Sequence, residues 1–167
     1  MLSKDIKNRF EIFPWSEHFK TDIVEIDKQH KYLLYLINNL AISLTNKENL
    51  ETKKLFDELV SYANYHFEYE ESVWVNSIGD KETIDSHLKQ HNDFIPQIQK
   101  IKENSKHDSS DKLNEEILLF LIKWLAYHIL EEDKRLAIVV KALNDGQNLN
   151  EAKATSNEIM ADSMRVI

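Results

Sequence analysis

The sequence predicts an all-α fold: an antiparallel up-down four-helix bundle with an irregular N-terminal arm and a C-terminal helical tail. Two glycines and two prolines in 167 residues supply too few tight turns for a sheet. Four long segments carry apolar residues at steps of three and four, the period of a helix with one buried face. The polar stretches between them are short, which makes successive helices antiparallel neighbours.

Residues 10–20 form the arm, with Pro14 and the aromatics Phe10, Phe13 and Trp15. The first helical period runs through Ile26, His30, Leu33, Ile37, Leu40 and Leu44. The second, from about Asn49 to Val75, passes through Leu55, Leu59, Tyr62, His66, Tyr69 and Val73. Ser77–Asp80, containing Gly79, breaks it. The third runs through Ile84, His87, His91, Phe94, Ile98 and Ile101. Pro96 is expected to loosen or kink it after His91, because proline removes one backbone donor. Polar residues Glu103 to Asp111 lead to the fourth, from about Lys112 to Leu143 through Ile117, Leu121, Trp124 and His128. Asn144-Asp145-Gly146 stops it. Residues 1–146 thus form the bundle with its arm, and 147–167 a separate tail. Leu149, Ile159, Met160, Met164 and Ile167 give that tail a weakly amphipathic period. Such a helix docks on the bundle, pairs with another subunit or stays solvated.

Composition narrows the function. Hydrophobic residues at 42% and charged residues at 30% are an ordinary folded balance. A net charge of −8 argues against nucleic acid, which needs clustered Lys and Arg. No apolar run approaches the ~20 residues that span a bilayer, so no membrane partner is expected. Met1 to Arg9 is charged, and no apolar signal-peptide core follows it. The absence of cysteine excludes disulfides and thiolate chemistry. A cytoplasmic location is expected.

The seven histidines are the oddity. His30, His66, His87, His91 and His128 all lie on the apolar stripes, where an imidazole is costly unless its nitrogens are satisfied. His66 and Glu70 are i,i+4, as are His87 and His91, so each pair projects from one helix face. In an up-down bundle the starts of odd helices and the ends of even ones meet, which puts all these residues in one layer. Five imidazoles with carboxylates and no thiolate suit Fe, Zn, Cu or Ni, and they exceed the needs of one tetrahedral zinc, so two metals are expected. The carboxylate-rich di-iron bundles need Glu-x-x-His pairs on the stripes, and this chain has none there. His18 and His107, in the arm and the third loop, read as surface residues.

Over roughly residues 13–140 the chain resembles the hemerythrin family. The resemblance rests on Ile26-Asp27-Lys28-Gln29-His30, His66-Phe67-Glu68-Tyr69-Glu70-Glu71, His87-Leu88-Lys89-Gln90-His91 and the run Trp124 to Asp133. It implies two iron ions (Fe2+/Fe3+) with an oxo or hydroxo bridge. His87, His91 and His128 would bind one, His30 and His66 the other, and Glu70 and Asp133 would bridge them. Regular helical spacing from His128 favours Glu132 at i+4, whereas Asp133 at i+5 is turned about 140° away. The family pattern selects Asp133, leaving Glu71, Glu131 and Glu132 as solvated or salt-bridged surface charges. Leu33, Phe67, Phe94, Trp124, Leu125 and Ile129 match the family's apolar lining of the oxygen site, and they serve equally as core packing.

Some features depart from the family pattern. Trp74 stands where methionine or an aliphatic residue is common, the His30–His66 stretch is longer than in the short animal proteins, Asp22 replaces a frequent glycine, and the minimal domain lacks the tail. The function implied is reversible dioxygen binding, for carriage, storage or sensing, and not an enzyme activity. The alternative is a di-iron enzyme or redox sensor acting on peroxide, oxygen or nitric oxide. Dioxygen is the expected partner, and the tail is a candidate surface for a signalling or self-association partner. A metal-free structural bundle is the third reading.

Overall fold

The computed structural model describes residues 11–164; residues 1–10 (Phe10 among them), residues 165–167 (Ile167 among them) and the side chain of Met164 lie outside the described residues. A 3₁₀ turn at Glu17–Phe19 leads into α1 (Val24–Thr45), α2 (Asn49–Ile78), α3 (Lys81–Asn104) and α4 (Ser110–Tyr127). A π-helical turn, His128–Asp133, then joins α4 to α5 (Lys134–Asn144), and α6 (Leu149–Met164) follows. There is no strand among the described residues, and no helix is long and apolar enough to cross a membrane.

Local chemistry sets these boundaries. α2 ends at Gly79, whose φ of 68° is the left-handed stop that glycine accepts most readily. Asp80 then caps α3 by accepting from the Thr83 amide at 2.9 Å, and Ser109 caps α4 through Lys112. α3 runs unbroken through Pro96 from Lys81 to Asn104, so the missing donor does not end the helix. Before α1, Asp22 sits at φ 66°, in the region that favours glycine; Asp is among the few other residues that visit it.

α1 packs on α2 and α4, and α3 packs on the same two, which closes the expected bundle. Leu33, Ile37, Leu40, Leu59, Phe67, Phe94, Ile98 and Leu121 fill its centre. The arm is tied down rather than loose. The Asn38 side chain accepts from the Phe13 amide at 2.8 Å and donates to its carbonyl at 2.9 Å, while Phe13 and Phe19 pack edge to face.

Two findings refine the sequence reading. The fourth helix is not one continuous α-helix, because the π turn interrupts it. The tail helix docks on α5: Ala152 and Met160 are buried, and Ser156 Oγ donates to the Arg135 carbonyl at 3.0 Å. Arg135 in turn donates to Asn157 at 2.8 Å.

Candidate metal centre

One layer of the bundle holds five imidazoles and two carboxylates, all buried. His30 comes from α1, His66 and Glu70 from α2, His87 and His91 from α3, and His128 and Asp133 from the π turn. The depth argument from helix order therefore holds in three dimensions. Their ligand atoms form two groups, each within 4.8 Å: Glu70 with His87, His91 and His128, and Glu70 with His30, His66 and Asp133. Glu70 belongs to both. Asp133 also reaches across, with Oδ1 at 3.1 Å from His128 Nε2 and 3.6 Å from His87 Nε2, and Oδ2 at 3.1 Å from His30 Nε2.

The π turn is what brings Asp133 in. Residues i and i+5 of an α-helix point about 140° apart, whereas a π turn closes its hydrogen bonds at i→i+5 and so carries both onto one side. His128 opens the turn and Asp133 closes it, both fully buried. Glu132, the α-helical candidate, lies half-buried and accepts instead from the Tyr127 hydroxyl at 3.2 Å.

The imidazoles are held from behind. His66 Nδ1 donates to Gln29 Oε1 at 2.9 Å, His91 Nδ1 to Glu71 Oε1 at 2.9 Å, and His128 Nδ1 to Gln90 Oε1 at 3.1 Å. Each acceptor comes from a neighbouring helix. With Nδ1 as the donor, Nε2 is the atom that faces inward and would offer its lone pair to a metal, the usual arrangement around a metal-binding histidine. Sequence reasoning missed these roles. Glu71, read as a surface charge, pairs with His91. Lys-Gln-His occurs twice, at Lys28–His30 and Lys89–His91, but each glutamine serves the histidine of another helix, so the repeat does not reveal the pairing.

The inward atoms fit a cation. His30 Nε2, His66 Nε2, Glu70 Oε1 and both Asp133 oxygens are buried without a hydrogen bond, and His91 Nε2 lies 2.8 Å from His128 Nε2. A nitrogen-rich, thiolate-free set of this kind suits iron or zinc rather than magnesium or calcium. The electrostatics agree. Burial would lower the His128 pKa, but the Asp133 and Glu70 carboxylates outweigh it and raise it to about 10. Burial likewise opposes the ionised Glu70, yet the surrounding histidines hold it well below the ordinary range. His66, dominated by burial, falls to about 4.

Aromatic rings back the layer. Phe67 stacks on His91 with centroids 4.0 Å apart, and Trp124 stacks on His128 at 4.5 Å. Leu33, Phe67, Phe94, Trp124 and Leu125 line a small apolar cavity together with Ile37, Leu59, Ala63 and Leu121. Its volume is about 10 Å³, no more than a single water fills. Ile129 is fully buried but does not line this cavity. His18 and His107 are exposed, as expected.

Comparison with known proteins agrees with this geometry. Residues 21–137 match the family model of the hemerythrin HHE cation binding domain. The chain is 32% identical to a bacteriohemerythrin of Clostridium acetobutylicum over 127 residues, covering 74% of this chain and 97% of that protein. It is 25% identical to a bacteriohemerythrin of Stenotrophomonas maltophilia, covering 77% and 81%. A myohemerythrin of Theromyzon tessulatum is 29% identical over 123 residues, covering 74% and 89%. Buried imidazoles on four helices, carboxylates shared between them, and a family match spanning most of the bundle agree: the chain belongs to the hemerythrin family.

Proposed function

We propose that the cluster holds two iron ions with an oxo or hydroxo bridge, and that the protein binds dioxygen reversibly. In this reading His87, His91 and His128 hold one ion, His30 and His66 hold the other, and Glu70 and Asp133 are shared. The observation that carries it is the convergence of five Nε2 atoms and two carboxylates in one buried layer. The His30–His66 side has fewer nitrogen donors, so exogenous ligand would bind there. Two ferrous ions supply the reversible two-electron chemistry that dioxygen binding needs.

The chain's own residues supply orientation and dryness. Gln29, Glu71 and Gln90 fix the imidazole planes, and Phe67 and Trp124 hold two of the rings by stacking. The cavity beside the layer is lined by carbon side chains and the aromatic face of Trp124, with no titratable acid among its residues. A site so lined offers no side-chain proton donor to a reduced oxygen ligand, which favours release over turnover. Carriage, storage and sensing all use this binding step.

The test is a visible spectrum of the iron-loaded protein taken from anaerobic to aerobic conditions, with iron counted per chain. Two irons and a charge-transfer band that appears with oxygen and disappears on its removal are expected. Immediate irreversible oxidation, or peroxide consumption over many turnovers, would replace this reading with an enzyme or a redox sensor.

A further inference from the structure

Trp74 is fully buried in α2, one turn beyond Glu70, and its indole N–H points into the histidine layer. Nε1 donates to His87 Nε2 at 3.2 Å, with the two rings edge to face. That acceptor is the lone pair a metal would take from His87. The indole nitrogen is a donor only, so metal binding strips it of its partner in a place water does not reach.

The replacement lies close at hand. Glu70 Oε2 is 3.3 Å from the same His87 Nε2, and Glu70 Oε1 is buried with no hydrogen bond. Glu70 and Trp74 are i,i+4 on one helix, so their side chains share a face without any change of backbone. Asp133 Oδ1 is farther from His87 Nε2, at 3.6 Å, and comes from the opposite wall.

Resting on the di-iron reading, we propose that Trp74 is a positioning residue whose indole N–H moves from His87 to the Glu70 carboxylate when the centre is loaded. A carboxylate shared between two metals has lone pairs left over, and one donor aimed at it fixes which way it leans. An N–H to carboxylate bond is charge-assisted, and therefore stronger than the bond to a neutral imidazole that it replaces. Trp74 thereby couples the position of Glu70 to the occupancy of His87.

The test uses the full chain with ¹⁵N-labelled indoles and zinc as a diamagnetic probe. Trp15, Trp74 and Trp124 give three indole N–H signals, assigned by single Trp→Phe substitutions. On loading two zinc ions, the signal missing in Trp74→Phe is expected to move downfield, and Trp74→Phe is expected to bind zinc about 10–100-fold more weakly, the range for a lost outer-shell partner. Zinc bound at two per chain with that signal unmoved overturns the proposal and leaves the di-metal reading standing. An affinity unchanged in Trp74→Phe also overturns it. Failure of the wild type to bind zinc overturns both.

Discussion

Metal loading should raise the thermal stability of this bundle by an amount the buried layer sets. Five inward atoms, on His30, His66, Glu70 and Asp133, are buried without an aligned hydrogen bond. Each such group costs roughly 1–3 kcal/mol, and the histidine–carboxylate contacts at 3.1–3.6 Å hold the sum near its lower end, about 5 kcal/mol. Mass action gives the same size, since two independent sites at 100-fold excess over Kd contribute about 2.7 kcal/mol each. For a domain of this length each kcal/mol moves Tm by roughly 2–4 °C, so a rise of about 10–20 °C is expected. The assay is calorimetry of the stripped protein, then of the same protein with one and two equivalents of ferrous ion added anaerobically. Magnesium is the control, because it prefers six oxygen donors and should do nothing. His128→Ala, which removes a donor and the 3.1 Å partner of Asp133 Oδ1, should lose half the rise or more. A Tm shift below about 3 °C at two bound ferrous ions would refute the reasoning, as would an equal shift with magnesium.

Three further outcomes follow from individual residues. Gln90→Ala frees His128 Nδ1 from its acceptor at 3.1 Å and should weaken metal binding about 10–100-fold, read by competition with a chromogenic chelator; unchanged affinity would mean the amide does not orient the ring. In the metal-stripped protein, His66 has its pKa lowered to about 4 from 6.5 and Glu70 is also depressed, so stability should fall as pH drops below about 6.5. His128, raised to about 10, adds stability that is complete below 6.5 and lost as pH rises through 10. The denaturation midpoint should therefore peak near pH 6.5, and one that climbs steadily to pH 9 would contradict the His128–Asp133 pairing. Asp22→Gly relieves a residue held at φ 66° and should gain up to about 1 kcal/mol. Its exposed pair with Lys20 offsets little of that, and a lower Tm would show that the left-handed conformation carries no strain.

Four helices, their order and the shared layer were all legible because each rests on a local period. His30, His66, His87, His91 and His128 occupy stripe positions that leucine would fill, and helix direction alone placed them at one depth. The glutamines behind them were not legible. Gln29 and Gln90 each sit one residue before a buried histidine and serve a histidine on another helix, so the pairing depends on interhelical distance, which no single-helix period contains. Trp74 stood out as a departure from the family, but the direction of its N–H follows from packing on His87 across α3.

The π turn shows why one gap in the sequence reading was unavoidable. Trp124, His128, Leu136 and Val140 follow one another at steps of four or eight, so an unbroken α-helix accounts for the apolar stripe without any insertion. A one-residue phase shift should betray itself as a displaced stripe in α5. It does not, because α6 covers the outer side of α5, and Val139 and Ala142 are buried there beside Leu136, Ala137 and Val140. A helix buried on two sides has no sharp stripe whose phase can be read. The evidence for the shift is chemical: an aspartate five residues after a core histidine is buried at zero exposure, where an α-helix would have turned it out of the layer. Buried carboxylates without positive charge beside them are strongly disfavoured, so the local geometry that buries Asp133 is retained only if something in the layer needs its charge. The rarer helix is therefore itself an argument that the layer holds a cation.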